Sequence, residues 1–330
     1  MIASAPQPAV LHLVSAPGTP DRLRQPLGRS LPVFLCARAI EQGLTPPGRV
    51  LLIGDSDSAE YATSIGLRFH DRLAPPLGRV SMLSRSVRRA ASGCARVICW
   101  NDELAPLLRS VKAPADLIST RPSLMRQRVS SRVEVRVFER ADRKLWESKN
   151  NNAELESVLT PLIDRASPFP TQWTRARLGI DPGTICIGII ADRPSDIDAR
   201  SMGFLLGLLH VAGFPIAAIV PRNASHLTDA RRHHHALGNR FRFLVAQQPM
   251  LTMLPVFDVL LHPCFDGSGS SMLIERLCEN LDTTVLRLRH SGREGLSRAP
   301  GLAGPIIEAL DDILANRSPD PVRREVPVHV

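Results

Sequence analysis

Short apolar runs alternate along the chain with segments of helical period, and turn residues separate most of them. Val10 to Val14 opens the pattern as a buried strand, a loop around Gly18 follows, and the spacing predicts a helix over 31–42. Residues 49–55 read as a second strand, 58–65 as a helix, 66–78 as a loop or short strand, and 81–91 as a helix. A strand over 96–100, a helix over 102–110 and a closing strand over 116–119 complete this half. Aliphatic runs this short, with no polar alternation, belong to parallel strands that are covered on both faces and meet no solvent.

The pattern restarts after residue 171. Strands are predicted over 184–191, 216–220, 241–245, 258–262 and 283–288, and helices over 197–211, 227–237, 251–256, 270–281 and 304–315. Met202 to Val220 is apolar apart from His210, yet Gly213-Phe214-Pro215 breaks it, so a core helix followed by a strand is expected rather than a membrane span. Two doubly wound α/β domains facing a cleft follow, with ligands expected beyond the carboxyl ends of the strands. Between them Val133, Val135 and Val137 alternate with charged residues, the period of a half-exposed strand, before the polar run Lys149-Asn150-Asn151-Asn152 and the prolines 161, 168 and 170. The expected division is therefore a first domain over 1–123, a basic linker over 124–170, a second domain over 171–318 and a flexible tail over 319–330.

A length of 330 residues suits two domains of ordinary size, and 44% hydrophobic with 22% charged residues is a globular composition. Of 41 basic residues only three are lysines (Lys112, Lys144, Lys149), Tyr61 is the single tyrosine, and the net charge is +9. Such a balance raises nucleic acid as a partner, but no RNA-reading motif or aromatic platform accompanies the arginines. The charge is +5 over residues 1–120, +3 over 121–170 and only +1 over 171–330. No nucleic acid is expected. Arg85, Arg88 and Arg89 form a basic stripe on a predicted helix, which leaves peripheral membrane approach open. The six cysteines form no CxxC and no zinc spacing, and no basic-then-apolar leader opens the chain. The expected location is cytoplasmic, with attachment at the inner face of the membrane left open. His233-His234-His235 cannot converge on one ion from a helix, where neighbours point about 100° apart, so no metal site is expected.

The sharpest chemical feature runs from His262 through Pro263, Cys264, Phe265, Asp266, Gly267, Ser268, Gly269 and Ser270 to Ser271, between a predicted strand and a predicted helix. Glycines and small hydroxyl residues there let backbone N–H groups point at an anion, and a helix N-terminus adds partial positive charge. Neither a Walker A loop nor a GxGxxG at the first strand is present.

Asp258-Val259-Leu260-Leu261-His262-Pro263 before this loop, Glu275 on the next helix and the strand at Thr283 together resemble the C-terminal domain of GT-B glycosyltransferases. The likeness is to the large retaining group (glycosyl transferase group 1, family 4-like), with this chain a divergent member, and it covers most of Leu178 to Ala315. Leu178-Gly179-Ile180 ahead of Ile185 to Arg193 is similar to that group's opening strand, and Phe243-Leu244-Val245 with 251–257 to its step into the adjacent strand. In the first half Cys94 to Asn101 and Ile118 to Pro122 are similar to two further strand ends of the group.

The resemblance implies a GT-B fold and retaining transfer of a sugar from a nucleotide-diphosphate sugar to a glycan, lipid or small-molecule acceptor, with no metal and no cofactor beyond the donor. Arg193 and the backbone of Gly267, Ser268, Gly269, Ser270 and Ser271 would hold the diphosphate, Glu275 the ribose and Asp266 the sugar. His70, beside Asp71, would face the acceptor from the first domain. An arginine fork suits phosphate oxygens, and a carboxylate accepts two sugar hydroxyls at once. The group also places a lysine after the arginine, and this chain has no lysine after Lys149. Two alternatives stay open: a binding protein on the same scaffold without turnover, and an anionic-surface or nucleic-acid binder using Arg121 to Lys144 and the Arg85–Arg89 stripe.

Overall fold

The structure, a computed structural model, describes residues 10–17, 30–74, 83–120, 129–155 (except 131, 139 and 149–152), 174–289 (except 192–196, 223, 247–249, 265–268, 280 and 282) and 299–317. Two parallel sheets organise it. The first contains β1 (Val10–Ser15), β2 (Arg49–Ile53), β3 (Asp71–Leu73), β4 (Arg96–Cys99), β5 (Ala115–Ser119), β6 (Val133–Val137) and β7 (Ala153–Leu155) in the order β3-β2-β1-β4-β5-β6-β7. The second contains β8 (Ile185–Ile189), β9 (Ile216–Pro221), β10 (Arg242–Ala246), β11 (Val259–Cys264) and β12 (Thr284–Arg289) in the order β10-β9-β8-β11-β12. Each sheet starts in its interior, grows to one side, then jumps back across its first strand. Two doubly wound Rossmann-like domains are the result, as the apolar periodicity predicts, in agreement with the GT-B fold that the resemblance implies.

The helices are α1 (Ser30–Glu41), α2 (Ser56–Ser64), α3 (Ser84–Ala90), α4 (Arg140–Glu147), α5 (Ala199–Val211), α6 (Leu227–Ala236), α7 (Gly269–Glu279) and α8 (Ala299–Arg317). The predicted helices over 102–110 and 251–256 form as 3-10 segments, Asp102–Ser110 and Met250–Val256, each with a proline inside that removes an α-helical donor.

The first sheet does not close at β5. Residues read as linker supply β6, α4 and β7, and β6 pairs with β5 from Ala115↔Val133 to Ser119↔Val137. The alternating charges of β6 face an ion-pair ladder instead of water. Arg96 reaches Asp116 at 2.7 Å and Glu134 at 2.9 Å, and Arg136 reaches Glu134 at 3.5 Å. Burial pushes the Asp116 carboxyl up, against the pull of Arg96 and Arg136. On the other face Val133, Val135 and Val137 are buried, and Trp146 of α4 is fully enclosed with its Nε1–H donating to Ser119 Oγ at 2.9 Å. A chain segment with period-two valines needs only one covered face, so polarity on the other concealed its place in the sheet.

One buried cluster runs through both sheets, from β1, α1, β2 and Trp100 to Cys186, Ile190, Met250–Val256 and Leu260. Helix α1 is buried from Ser30 to Ala39, on every side, because its sequence SLPVFLCARAIE has no polar face wide enough for solvent. Inside this cluster lies His12. Trp100 Nε1–H donates to its Nδ1 at 3.2 Å, so its other nitrogen carries the proton and donates to the Pro46 carbonyl at 3.1 Å. The ring is neutral, and burial lowers its pKa.

Candidate functional site

In an open parallel sheet the crevice for ligands lies outside the carboxyl ends of the strands, where the strand order reverses. That point falls between β1 and β4 in the first sheet and between β8 and β11 in the second. The strands part there, and the backbone groups released need partners.

At the first reversal the partner is Asn101, fully buried just beyond β4. Ser15 N–H donates to Asn101 Oδ1 at 2.8 Å, and Asn101 Nδ2 donates back to the Ser15 carbonyl at 3.1 Å. The amide thus extends the ladder by one residue beyond the paired backbone. The next residue, Asp102, is 1% exposed and accepts the Thr120 N–H at 3.1 Å, which ties the ends of β4 and β5. Ser58 of α2 donates to the Ala16 carbonyl at 3.0 Å, while Asp55 caps the same helix by accepting Ser58 N–H at 2.8 Å.

At the second reversal the partner is a histidine. His262, 2% exposed near the end of β11, donates from Nδ1 to the Ile190 carbonyl at 2.9 Å, just past β8. Ile190 N–H in turn donates to Leu261 at 3.0 Å. Helix α7 starts five residues after Cys264 and carries Gly269, Ser270 and Ser271 in its first turn and the half-buried Glu275 two turns on. Burial first, then the carboxylates of Glu275 and Glu279, pushes the Cys278 thiol up to about 12, so it stays protonated and inert. At the start of α5, Asp198 accepts the N–H groups of Arg200 and Ser201 as helix cap.

The sequence-predicted residues are placed unequally. Gly269, Ser270, Ser271 and Glu275 share one helix beside the second reversal, whereas Arg193, Asp266, Gly267 and Ser268 lie outside the described residues. His70 immediately precedes β3, level with Val50 of β2, where its N–H donates to the Val50 carbonyl at 2.9 Å and its Nδ1 accepts the Val50 N–H at 3.1 Å. The ring is thereby a hydrogen-bond partner of the β2 backbone. The histidine run of α6 also scatters: His233 packs on Phe204, and His234 on Phe241 and Phe243. Arg85, Arg88 and Arg89 are exposed around the buried Val87. No helix among the described residues is long and apolar enough to cross a membrane.

Asn101, Asp102 and His262 are the residues that sequence reasoning missed as parts of a site. Each acts on backbone far away in the chain, 86 residues for Asn101 and 72 for His262, and no local spacing records such a bond.

No family model and no curated protein matches the chain. Solved structures do. The UDP-GlcNAc 2-epimerase of Neisseria meningitidis bound to UDP-GlcNAc is 9% identical, with a TM-score of 0.56 over 92% of this chain and 99% of that one. MnaA of S. aureus with UDP is 9% identical, with a TM-score of 0.61 over 92% and 88%. HepE of Anabaena with UDP-glucose is 13% identical, with a TM-score of 0.53 over 93% and 94%. At these identities the likeness is one of fold.

Proposed function

We propose that the chain binds a nucleotide-diphosphate sugar in the crevice between the carboxyl ends of the two sheets. The observation that carries this reading is the second reversal point, where β11 carries a buried histidine near its end and a helix begins five residues after the strand with Gly269, Ser270 and Ser271 in its first turn. The same architecture, over more than nine-tenths of the chain, accommodates UDP, UDP-GlcNAc and UDP-glucose in the proteins it resembles. Arg193 and the 267–271 backbone would take the diphosphate, Glu275 the ribose hydroxyls and Asp266 the sugar. The chemistry proposed is retaining transfer of the sugar without a divalent metal, the leaving diphosphate being stabilised by fixed donors and the helix end. A glycan, lipid or small-molecule acceptor would enter from the first sheet. Epimerisation of the bound sugar is a second reading, favoured by the structural likeness to several 2-epimerases.

Calorimetric titration with UDP, UDP-glucose and UDP-GlcNAc tests the binding step, and Arg193→Ala is expected to weaken it at least tenfold. Failure of all three ligands to bind at millimolar concentration overturns the reading. Product analysis by NMR, in the presence of a chelator, separates the chemistries. Free UDP with a sugar of unchanged anomeric configuration marks transfer, an intact nucleotide with an altered sugar marks epimerisation, and tight binding without turnover marks a binding protein.

A further inference from the structure

A cavity of 660 Å³ opens at the amino ends of β8, β9 and β10, the end of the second sheet away from the proposed donor crevice. The strands are five or six residues long, so roughly 17–20 Å of sheet separates the two ends. Its volume lies in the range of small-molecule sites.

The walls have a definite chemistry. Two imidazoles, His210 and His234, and two guanidinium groups, Arg240 and Arg242, line the cavity together with the amide of Asn239, against one carboxylate, Asp181. The arginines stand exposed on the rim, while the imidazoles lie deeper, half-buried among Phe241 and Phe243. His234 stacks on Phe243 (5.5 Å, 30°) and meets Phe241 edge-on at 4.7 Å, and its Nε2–H donates to the Phe241 carbonyl at 2.6 Å. His210 packs on Phe241 at 5.7 Å. That ring cluster is held in place before any ligand arrives. On the rim the Arg242 guanidinium lies over Gly179, whose φ is +62°, and a Cβ there would stand 2.7 Å from Nη2. The glycine turn therefore leaves room for the guanidinium plane.

Two helices, α5 and α6, end here, and their partial negative charge opposes an anion. Two formal guanidinium charges outweigh two screened half-charges, and the fork of an arginine adds directed hydrogen bonds that helix ends lack. Flat rings above, cations at the rim and one acid in all select a flat, apolar body that carries an anionic head.

We propose that this cavity is a second ligand site, distinct from the donor crevice, for a small aromatic phosphate of the nucleoside-monophosphate class, with the ring against His234 and Phe243 and the phosphate on Arg240 and Arg242. Phenyl phosphate and inorganic phosphate are the probes, followed by calorimetry and by chemical-shift changes of the histidine rings. Phenyl phosphate is expected to bind at least tenfold more tightly than phosphate. Arg242→Ala is expected to weaken phenyl phosphate at least tenfold, and Phe243→Ala to reduce its advantage over phosphate. Binding of phenyl phosphate should be unchanged in Arg193→Ala, an arm that reads independently of whether UDP binds the donor crevice. Equal affinity for the two probes, an unaffected Arg242→Ala protein with native melting behaviour, or loss of binding with Arg193→Ala would each overturn the proposal. Gly179→Ala supplies a second variant. It displaces Arg242 without removing it, and a several-fold loss of phenyl phosphate affinity is expected.

Discussion

The two sheets solve the same problem at their reversal points with different side chains. In the first, the amide of Asn101 makes two bonds to Ser15 and is sealed from solvent. In the second, the imidazole of His262 donates to the Ile190 carbonyl through Nδ1. An amide that uses both an acceptor and a donor on backbone is committed to structure, since it has little left to offer a ligand. An imidazole whose Nδ1 donates to a carbonyl has its ring plane and tautomer fixed by that bond. The difference is one of side-chain chemistry: an amide joint ties β1 to the end of β4, and an imidazole ties β11 to the residue just past β8.

Removing the joint gives the largest expected effect. Asn101→Leu strands a buried N–H and a buried carbonyl, each worth about 1–3 kcal/mol, so a loss of about 2–5 kcal/mol in urea unfolding is expected. A loss below 1 kcal/mol would mean that the Ser15 backbone finds water and that the joint is not sealed. The middles of the first strands supply the next contrast. Position 12 on the shared face of β1 holds a full histidine, whereas the corresponding face of β8 has Gly188, where a Cβ would lie 2.7 Å from the Phe257 ring. Gly188→Ala is expected to cost about 1–3 kcal/mol by overpacking, read by the same unfolding curve.

The functional half of the comparison is sharper at lower cost. His262→Asn replaces one donor to Ile190 by another, so stability should change by less than about 1.5 kcal/mol. UDP affinity should nevertheless fall about tenfold if the imidazole ring beside the second reversal serves the proposed donor site, since an amide does not reproduce the ring. If stability collapses and affinity in the folded fraction is unchanged, the two reversal points are alike after all.

The smallest effect is a pH dependence confined to the first sheet. Burial holds the folded pKa of His12 below its ordinary value of 6.5, so the unfolded chain takes up the proton first. Stability is complete above that value and declines as pH falls from it toward the lowered folded value, by at most about 1.4 kcal/mol per pH unit. His12→Gln should flatten that slope in unfolding curves collected between pH 7 and pH 5.

The element order was legible where a strand is a compact aliphatic run between turn residues, as in Ile185 to Ile189. What escaped was partnership. Glu134 and Arg136 carry the pattern of a solvated face, and only Arg96 and Asp116, about 20 to 40 residues earlier, turn that face into a ladder. His70 beside Asp71 has the composition of a site, yet its ring accepts the Val50 N–H, a bond across 20 residues that no local spacing records. The Gly269–Ser271 turn and Glu275 were legible for the opposite reason: their placement follows from one strand and one helix adjacent in sequence.

The cluster that runs from α1 into Met250–Val256 also sets how the molecule comes apart. A helix enclosed on every side cannot be divided between two independently melting halves, because either half would carry its bare apolar surface into water. With residues of both sheets in that one cluster, the two sheets are expected to melt as one cooperative unit in calorimetry, with a van't Hoff enthalpy close to the calorimetric one.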